Sequence, residues 1–234
     1  MKIQSIVLIL FFGLNLWAQN EDLGIAVDMD DVAKVSKMIN SGRASVNEKV
    51  GANNHPIILL AAKSGSEKVA KFLISRNADV NAQNSARETA LMQAVFFLDS
   101  QADNTFVIHD RIAVALVEAG AKTENGDWWA PMAYAAFAGR LGIAQYQMAH
   151  GALVDGPVVD NISTVNTPLM MACMQGHEKF VRYLLLQGAD AKLKNKTGAT
   201  ASSLAEKYNN TNLLKYLNCA MNLAPGEAYK GKCE

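Results

Sequence analysis

The sequence is poor in the residues that build metal, cofactor and catalytic sites. It holds three cysteines and four histidines among 234 residues. It contains no His-Glu-x-x-His pair and no Cys-x-x-Cys pair, the spacings that bring zinc ligands together. It also lacks the Gly-x-x-x-x-Gly-Lys-Ser/Thr phosphate loop, because the glycine and lysine spacing of Gly226, Gly231 and Lys232 is followed by Cys233. The acidic cluster of Asp28, Asp30 and Asp31 lacks the downstream glycine and glutamate of a calcium loop. We therefore expect no metal, no cofactor and no catalytic residue.

Charge of one sign is not in excess either. Lysine plus arginine and aspartate plus glutamate number 22 each, so no net positive charge would attract nucleic acid or an anionic membrane surface. After the first eighteen residues no segment is long and apolar enough to span a bilayer. We therefore expect no nucleic-acid partner and no membrane span once the N-terminal stretch is removed.

Residues 1–18 differ from the rest of the chain. Lys2 gives a positive start, the stretch 6–16 is almost wholly apolar, and Ala18 offers a cleavage point before Gln19. A charged start, a short apolar run and a small residue at the cut are typical of a secretory signal peptide. The apolar run of about 11 residues is shorter than the ~20 that cross a bilayer as a helix, although an uncleaved anchor is an alternative. We predict an exported chain, periplasmic or secreted.

Export bears on the three cysteines, because an oxidising compartment allows an even pair to form a disulfide. Cys219 and Cys233 bracket a tail that contains Pro225 and Gly226, so they are the natural pair and Cys173 is left free. We predict a Cys219–Cys233 disulfide that braces the C-terminal end of the chain.

Cys173 also belongs to the densest group of reactive side chains in the sequence. The stretch TPLMMACMQGHEKFVRYLLLQGADAK, residues 167–192, places Cys173, His177 and Glu178 within six residues. Such a group is compatible with a thiol nucleophile, its base and a supporting acid. It is equally compatible with a structural role, and the recurrence of the stretch along the chain decides between the two.

Copies of this stretch follow a pattern of Thr-Pro-Leu-x-x-Ala, then a glycine, an apolar run and Gly-Ala-Asp. Pro56 and Thr89 are 33 residues apart, and so are Thr167 and Thr200. The intervals of 41 and 37 residues on either side of Ala130 carry insertions. The copies begin with GIAVDMDDVAKV at Gly24, PIILLAAKSG at Pro56, TALMQAV at Thr89, APMAYAAFAG at Ala130, TPLMMACMQG at Thr167 and TASSLAEKYNN at Thr200.

Each copy predicts two short helices, because apolar residues recur at spacings of three and four. In the second helix of the copy that starts at Thr167, one apolar stripe consists of Phe180, Val181, Leu184 and Leu185. A lone pair of helices this short cannot bury such a stripe, whereas stacked copies can. The sequence therefore predicts an all-α solenoid of stacked helix-turn-helix units joined by loops.

The 33-residue period and the Thr-Pro-Leu signature resemble the ankyrin repeats. Residues 167–192 fit closely, residues 61–84 nearly as well, and the resemblance covers roughly 21–217. Six repeats are placed near 22–49, 50–83, 84–124, 125–158, 159–194 and 195–217, followed by a tail over 218–234. One departure is that the family's histidine after Thr-Pro-Leu is missing, so its hydrogen bonds must be absent or remade. The residues in its place are Leu59, Met92, Ala133, Met170 and Ser203.

The resemblance favours a structural role for the reactive group. Cys173 occupies the second position of a small-residue pair, so it is expected to be a buried apolar side chain. Other repeats fill this position with Ala62, Val95 and Ala136. His177 is expected to organise the turn before the second helix, and Glu178 to be exposed in that helix's first turn. We therefore predict that the chain is not an enzyme.

The resemblance also implies where a partner would bind. In ankyrin arrays the two residues after the small pair, and the loop residue before Thr-Pro-Leu, usually line the concave side. Aromatic residues and methionine gathered on a surface mark interaction sites, and tryptophan is enriched among binding hot spots. The predicted partner-binding residues are Phe96, Phe97, Trp128, Trp129, Phe137, Met174 and Tyr208.

Two insertions flank these residues. LDSQADNTFV, over 98–107, separates the helices of repeat three, and DGPVVDNISTVN, over 155–166, lengthens the loop before repeat five. Insertions in solenoids map to loops on one face, often the binding face, although the first insertion could instead cover Phe96 and Phe97. We expect an exported, monomeric, non-enzymatic protein that binds another protein through a concave groove of repeats three to five. The alternative is an accessory or inhibitor of an extracytoplasmic redox enzyme or hydrolase, or a binder of a small molecule.

Overall fold

The structure is a computed structural model that describes residues 20–96, 108–124, 130–159, 162–163, 165–223 and 228–233. The predicted signal peptide, the 98–107 insertion and the predicted surface residues Phe97, Trp128 and Trp129 lie outside the described residues.

Pairs of short helices follow one another along the described chain, which confirms the predicted all-α solenoid of helix pairs. Helix α1 includes residues 20–28. The later helices are α2 Val32–Asn40, α3 Ile57–Ser64, α4 Glu67–Ser75, α5 Ala90–Phe96, α6 Ile108–Glu118, α7 Pro131–Ala138, α8 Leu141–Ala149, α9 Pro168–Gln175, α10 Glu178–Leu186, α11 Ala201–Lys207 and α12 Leu214–Met221. A 3-10 turn over Thr211–Leu213 precedes α12.

The recurring sequence signature sets where the first helix of a repeat begins and ends. In α9 the Thr167 hydroxyl accepts the N–H of Met170 at 3.2 Å, and Pro168 takes the first turn, where no backbone donor is needed. The turn after α7 needs Gly139, which has a φ of +71°. A Cβ there would also lie 2.9 Å from Cε1 of His177, so the close approach of the next repeat requires glycine.

The chain divides into two compact units, of which the first spans Met1–Ala94 and Gln101–Ala121. In this N-terminal unit α4 packs against α2, α3 and α6. Two antiparallel strands of two residues each, β1 (Lys49–Val50) and β2 (His55–Pro56), form a hairpin that precedes α3. The core consists of side chains that are nearly or fully buried, including Leu23, Val27, Val35, Ile57, Leu59, Leu73, Leu91, Ile112 and Leu116.

The second unit spans Val95–Ser100 and Lys122–Glu234. In this C-terminal unit α9 packs against α7, α10 and α11. The insertion before α9 forms strands β3 (Val158–Val159) and β4 (Ile162–Ser163), which pair antiparallel. Strand β4 also pairs parallel with β5 (Lys194–Asn195), in the loop before α11. The inserted segment is therefore tied by backbone pairing to the loop of the following repeat.

The last helix crosses the predicted boundary between repeat six and the tail. Helix α12 continues to Met221 and includes Cys219. The α-carbons of Cys219 and Cys233 are 5.7 Å apart, in geometry that forms a disulfide. Tyr229, inside the loop that this pair closes, is buried. Within the described residues, no helix has the length and apolar character needed to cross a membrane.

Candidate functional site

The reactive group at Cys173, His177 and Glu178 does not assemble into a catalytic arrangement. Cys173 is fully buried, and burial raises the pKa of its thiol to about 12. His177 directs Nε2 to the carbonyl oxygen of Phe137, at 3.0 Å. Glu178 accepts a hydrogen bond from the Tyr216 hydroxyl at 2.5 Å, which lowers the pKa of the glutamate. His177 and Glu178 therefore bind different partners and not the Cys173 thiol, and a thiol so resistant to ionisation is a poor nucleophile.

The His177 contact belongs to a series in which one repeat bonds to the repeat before it. His109 directs its Nε2 to the carbonyl oxygen of Lys63 at 3.3 Å. Asn210 has no imidazole but donates its amide to the carbonyl oxygens of Cys173 and Met174, both at 2.9 Å. These bonds supply side-chain donors for carbonyls in the last turn of a first helix, where the helix itself leaves acceptors unsatisfied. The Cys173 carbonyl also accepts the N–H of Gly176, at 3.4 Å. The sequence predicted His177 at a turn but did not identify its partner in the preceding repeat.

The acidic cluster near the N-terminus is structural in the described chain. Asp30 accepts the backbone N–H groups of Lys68 and Val69, at 3.3 and 2.8 Å, and so caps α4 from the repeat before it. Asp31 accepts the N–H of Lys34 at 2.9 Å and begins α2. Among the described residues, no group of three or more histidine, cysteine or acidic side chains could hold a metal ion.

The C-terminal unit contains an aromatic cluster of Phe96, Tyr134 and Phe137. The rings of Phe96 and Phe137 stack with centroids 5.8 Å apart, and Tyr134 meets Phe96 edge-on at 5.7 Å. Phe96 is 38% exposed, Phe137 is half-buried and Tyr134 is buried. Two aromatic side chains in consecutive repeats therefore share one partly exposed surface, because equivalent positions of stacked repeats lie side by side.

The other predicted surface residues differ in exposure. Tyr208 is 45% exposed, with the ammonium of Lys207 5.6 Å from its ring centroid. Met174 is half-buried and receives the side-chain amide of Asn166 at 3.3 Å from its sulfur. The structure brings Phe96 and Phe137 into direct contact, and it places Met174 and Tyr208 in later repeats of the same unit.

A second set of side chains, which the sequence did not single out, links the bases of successive loops. Asn47 accepts the N–H of Asp79 at 2.8 Å in the N-terminal unit. In the C-terminal unit the corresponding acceptors are carboxylates: Glu124 accepts the N–H of Leu153, and Asp155 accepts that of Asp190. We call these contacts the loop links. Their signal in the sequence is a polar side chain with an acceptor oxygen three residues after the alanine that follows the second helix of a repeat, at Asn47, Glu124 and Asp155.

One buried polar side chain stands out in α8. Gln147 is fully buried, and both polar atoms of its amide have no hydrogen-bond partner within the described residues. An unpaired buried amide costs free energy. The equivalent position is apolar in the other repeats, where it is filled by Met38, Leu73, Leu116, Leu184 and Leu217.

Comparison with known proteins agrees with this architecture. Two family models of ankyrin repeats match the chain, one of three copies over residues 132–224 and one of many copies over residues 58–102. The mouse (Mus musculus) protein named "Ankyrin repeat and SAM domain-containing protein 6" is 37% identical over 95 residues. That match covers 40% of this chain and 10% of the mouse protein, so the likeness concerns a small part of the mouse protein.

A solved structure is similar over nearly its whole length. It is a chain of the "Bd0816 Predatory Endopeptidase from Bdellovibrio bacteriovorus in complex with immunity protein Bd3460", with a TM-score of 0.68 and 25% sequence identity. The match covers 84% of this chain and 96% of that chain. The repeated sequence pattern, the stacked helix pairs and the matching family models lead to one conclusion: the chain belongs to the ankyrin-repeat family.

Proposed function

We propose that the chain is an exported, non-enzymatic protein that binds a protein partner through a groove of repeats three to five. The observation that carries this proposal is the aromatic cluster, in which the rings of Phe96 and Phe137 stack with Phe96 still 38% exposed. Partly exposed aromatic side chains that are already packed lose little conformational entropy on binding and so favour affinity. Phe97 and Trp129 are proposed to extend this surface, because they occupy positions that usually face the groove in ankyrin arrays. Trp128 is included because it directly precedes Trp129.

The proposed partner is an extracytoplasmic peptidase, and the proposed effect is inhibition. The similar solved chain comes from a complex of an endopeptidase with an immunity protein, and the match covers 96% of that chain. An endopeptidase needs an activated nucleophile, a metal-bound water or a pair of carboxyl groups that activates water. An immunity protein needs a complementary surface alone. The buried Cys173, whose thiol has a pKa of about 12, favours the second role for this chain.

The test is capture from the exported fraction of the cells that make the protein, followed by an activity assay. Wild type is compared with Phe96→Ala/Phe137→Ala and with Trp128→Ala/Trp129→Ala. Ile25→Ala/Met29→Ala is the matched control, because Ile25 and Met29 are 55% and 76% exposed in the N-terminal unit and lie outside the proposed surface. Circular dichroism establishes that each variant is folded.

Wild type and the control are expected to capture the same peptidase and to block its hydrolysis of a peptide substrate. The two aromatic variants are expected to lose at least tenfold in affinity, since each truncated hot spot costs ~2 kcal/mol or more. Equal capture by all four proteins would show that the aromatic surface is not the binding site. Capture of a peptidase that stays fully active would contradict inhibition, and a partner that is not a peptidase would contradict the proposed target.

A further inference from the structure

The loop links differ in chemistry between the two units. In the N-terminal unit the acceptor is the neutral amide of Asn47, which is exposed. In the C-terminal unit the acceptors are the half-buried carboxyl groups of Glu124 and Asp155. Each contact joins consecutive repeats by the same bond, from a backbone N–H to a side-chain oxygen. The carboxyl groups can gain a proton, whereas the amide cannot.

The geometry at Asp155 brings a second carboxyl group close. The two oxygens of Asp155 lie 3.1 and 3.3 Å from the backbone nitrogen of Asp190. In the described chain, Asp190 is the charged side chain that acts on Asp155, and its negative charge opposes ionisation. Burial is the larger cause, and together they raise the pKa of Asp155 to about 6, although the bond from the Asp190 N–H works in the other direction.

Glu124 occupies the preceding link under similar conditions. Its Oε1 accepts the N–H of Leu153 at 2.8 Å, while Oε2 is buried without a hydrogen-bond partner in the described part of the chain. Burial raises the pKa of Glu124, and the Leu153 N–H partly offsets this effect. Among the described residues no charged side chain acts on this group. An unpaired buried carboxylate oxygen is costly when ionised and less so when it carries a proton.

We propose that the two carboxyl loop links make the C-terminal unit responsive to pH, so that its repeats hold together more firmly in mild acid than at neutral pH. The sign follows from linkage: a carboxyl group whose pKa is higher in the folded than in the unfolded state binds more protons when folded. For Asp155 the stabilisation is fully present below its ordinary pKa of 3.8. It is lost as the pH rises through about 6. This inference goes beyond the proposed function and does not depend on it.

The experiment is urea denaturation of the full chain between pH 4 and pH 8, for wild type and three variants. Asp155→Asn keeps an oxygen acceptor but removes the charge, as Asn47 does in the N-terminal unit. Asp190→Asn removes the neighbouring negative charge. Asp79→Asn is the matched control, because Asp79 and Asp190 are both exposed and each accepts a backbone N–H two residues later. The difference is that the backbone N–H of Asp79 donates to the amide oxygen of Asn47, so the charge of Asp79 has no carboxyl group in its loop link to act on.

The folding equilibrium constant of Asp155→Asn, divided by that of wild type, is expected to rise roughly ten- to hundredfold as the pH is raised from 4 to 8. Most of this change is expected near pH 5–6. Asp190→Asn is expected to show a smaller change in the same direction, and Asp79→Asn none. Parallel wild-type and Asp155→Asn profiles over this range would overturn the proposal. If Asp155→Asn does not fold, the comparison of Asp190→Asn with Asp79→Asn tests the proposal instead. Identical pH profiles of unfolding free energy for these two variants would overturn it.

Discussion

The imidazole Nε2 of His177 lies 3.0 Å from the carbonyl oxygen of Phe137, which belongs to the preceding repeat. Since a carbonyl oxygen can only accept, the nitrogen donates its proton. We expect His177→Ala to lower the free energy of unfolding by about 1–2 kcal/mol, because a partly buried carbonyl loses its donor. Urea denaturation measures the change.

His177→Asn is the informative companion to this variant. Asn210 makes the equivalent contact in the next repeat with its side-chain amide, at 2.9 Å from two carbonyl oxygens. Asparagine at position 177 should therefore restore at least part of the stability lost in His177→Ala. If the asparagine and alanine variants are equally unstable, the hydrogen bond is not the source of the effect.

Gln147→Leu is expected to stabilise the protein. The fully buried amide has no hydrogen-bond partner within the described residues. Leucine fills the equivalent place in four other repeats, at Leu73, Leu116, Leu184 and Leu217. Removing an unpaired buried amide should raise the free energy of unfolding by about 1–3 kcal/mol. The reverse change, Leu184→Gln, should lower it by at least as much. A destabilised Gln147→Leu variant would mean that the amide has a partner outside the described residues.

Cys173 should resist alkylation as long as the protein is folded. Its thiol is fully buried, and its pKa of about 12 leaves almost no thiolate at pH 8. Iodoacetamide should add one group per chain in urea and none in native buffer, as counted by mass spectrometry under non-reducing conditions. Rapid alkylation of Cys173 in the folded protein would contradict its buried position in the core.

The Cys219–Cys233 pair should contribute to stability when it is oxidised. The pair closes a loop over a separation of 14 residues, and a loop of this size contributes about 3 kcal/mol in the chain-entropy model. Dithiothreitol should lower the free energy of unfolding of wild type by up to this amount and leave a Cys219→Ser/Cys233→Ser variant unaffected. Equal sensitivity of both proteins would show that the bond does not form in solution.

Glu67 should make the N-terminal unit sensitive to strong acid. Its carboxylate meets Arg111 at 2.8 Å and Lys71 at 2.7 Å, and these hydrogen bonds lower its pKa from 4.5 to about 2. A lowered pKa in the folded state gives stability that is present above pH 4.5 and lost as the pH falls toward 2. Glu67→Gln should cost about 1 kcal/mol or less at pH 7, because both basic partners are more than a third exposed. The two proteins should converge near pH 2, as denaturation at several pH values will test.

Much of the fold was predictable because it rests on local rules repeated at a fixed period. The apolar stripe and the Thr-Pro-Leu start each indicate the position of a helix from residues close in sequence. The same periodicity predicted that Phe96 and Phe137 lie at equivalent positions, and the structure places their rings in contact. The extent of α12, to Met221, was not predicted, because helix ends depend on what packs beyond them.

The loop links were not predictable from a single repeat. Glu124 and Asp155 are acidic residues in loops, and the ordinary expectation for such residues is a solvated carboxylate. Their burial arises from the next repeat, which brings Leu153 and Asp190 against them. The partner of His177 was missed for a similar reason, since the direction of its bond depends on the stacking of two repeats.

The contact between His177 and Phe137 has a consequence for how such an array can change over evolutionary time. The acceptor is a main-chain carbonyl, which every residue carries, so the preceding repeat can mutate its side chains without losing the bond. More than one residue type can donate this bond, since Asn210 in the last repeat makes the contact that His177 makes in the repeat before it. A duplicated or exchanged repeat would thus find a partner wherever it is inserted, while the side chains facing the groove remain free to diverge toward a new target.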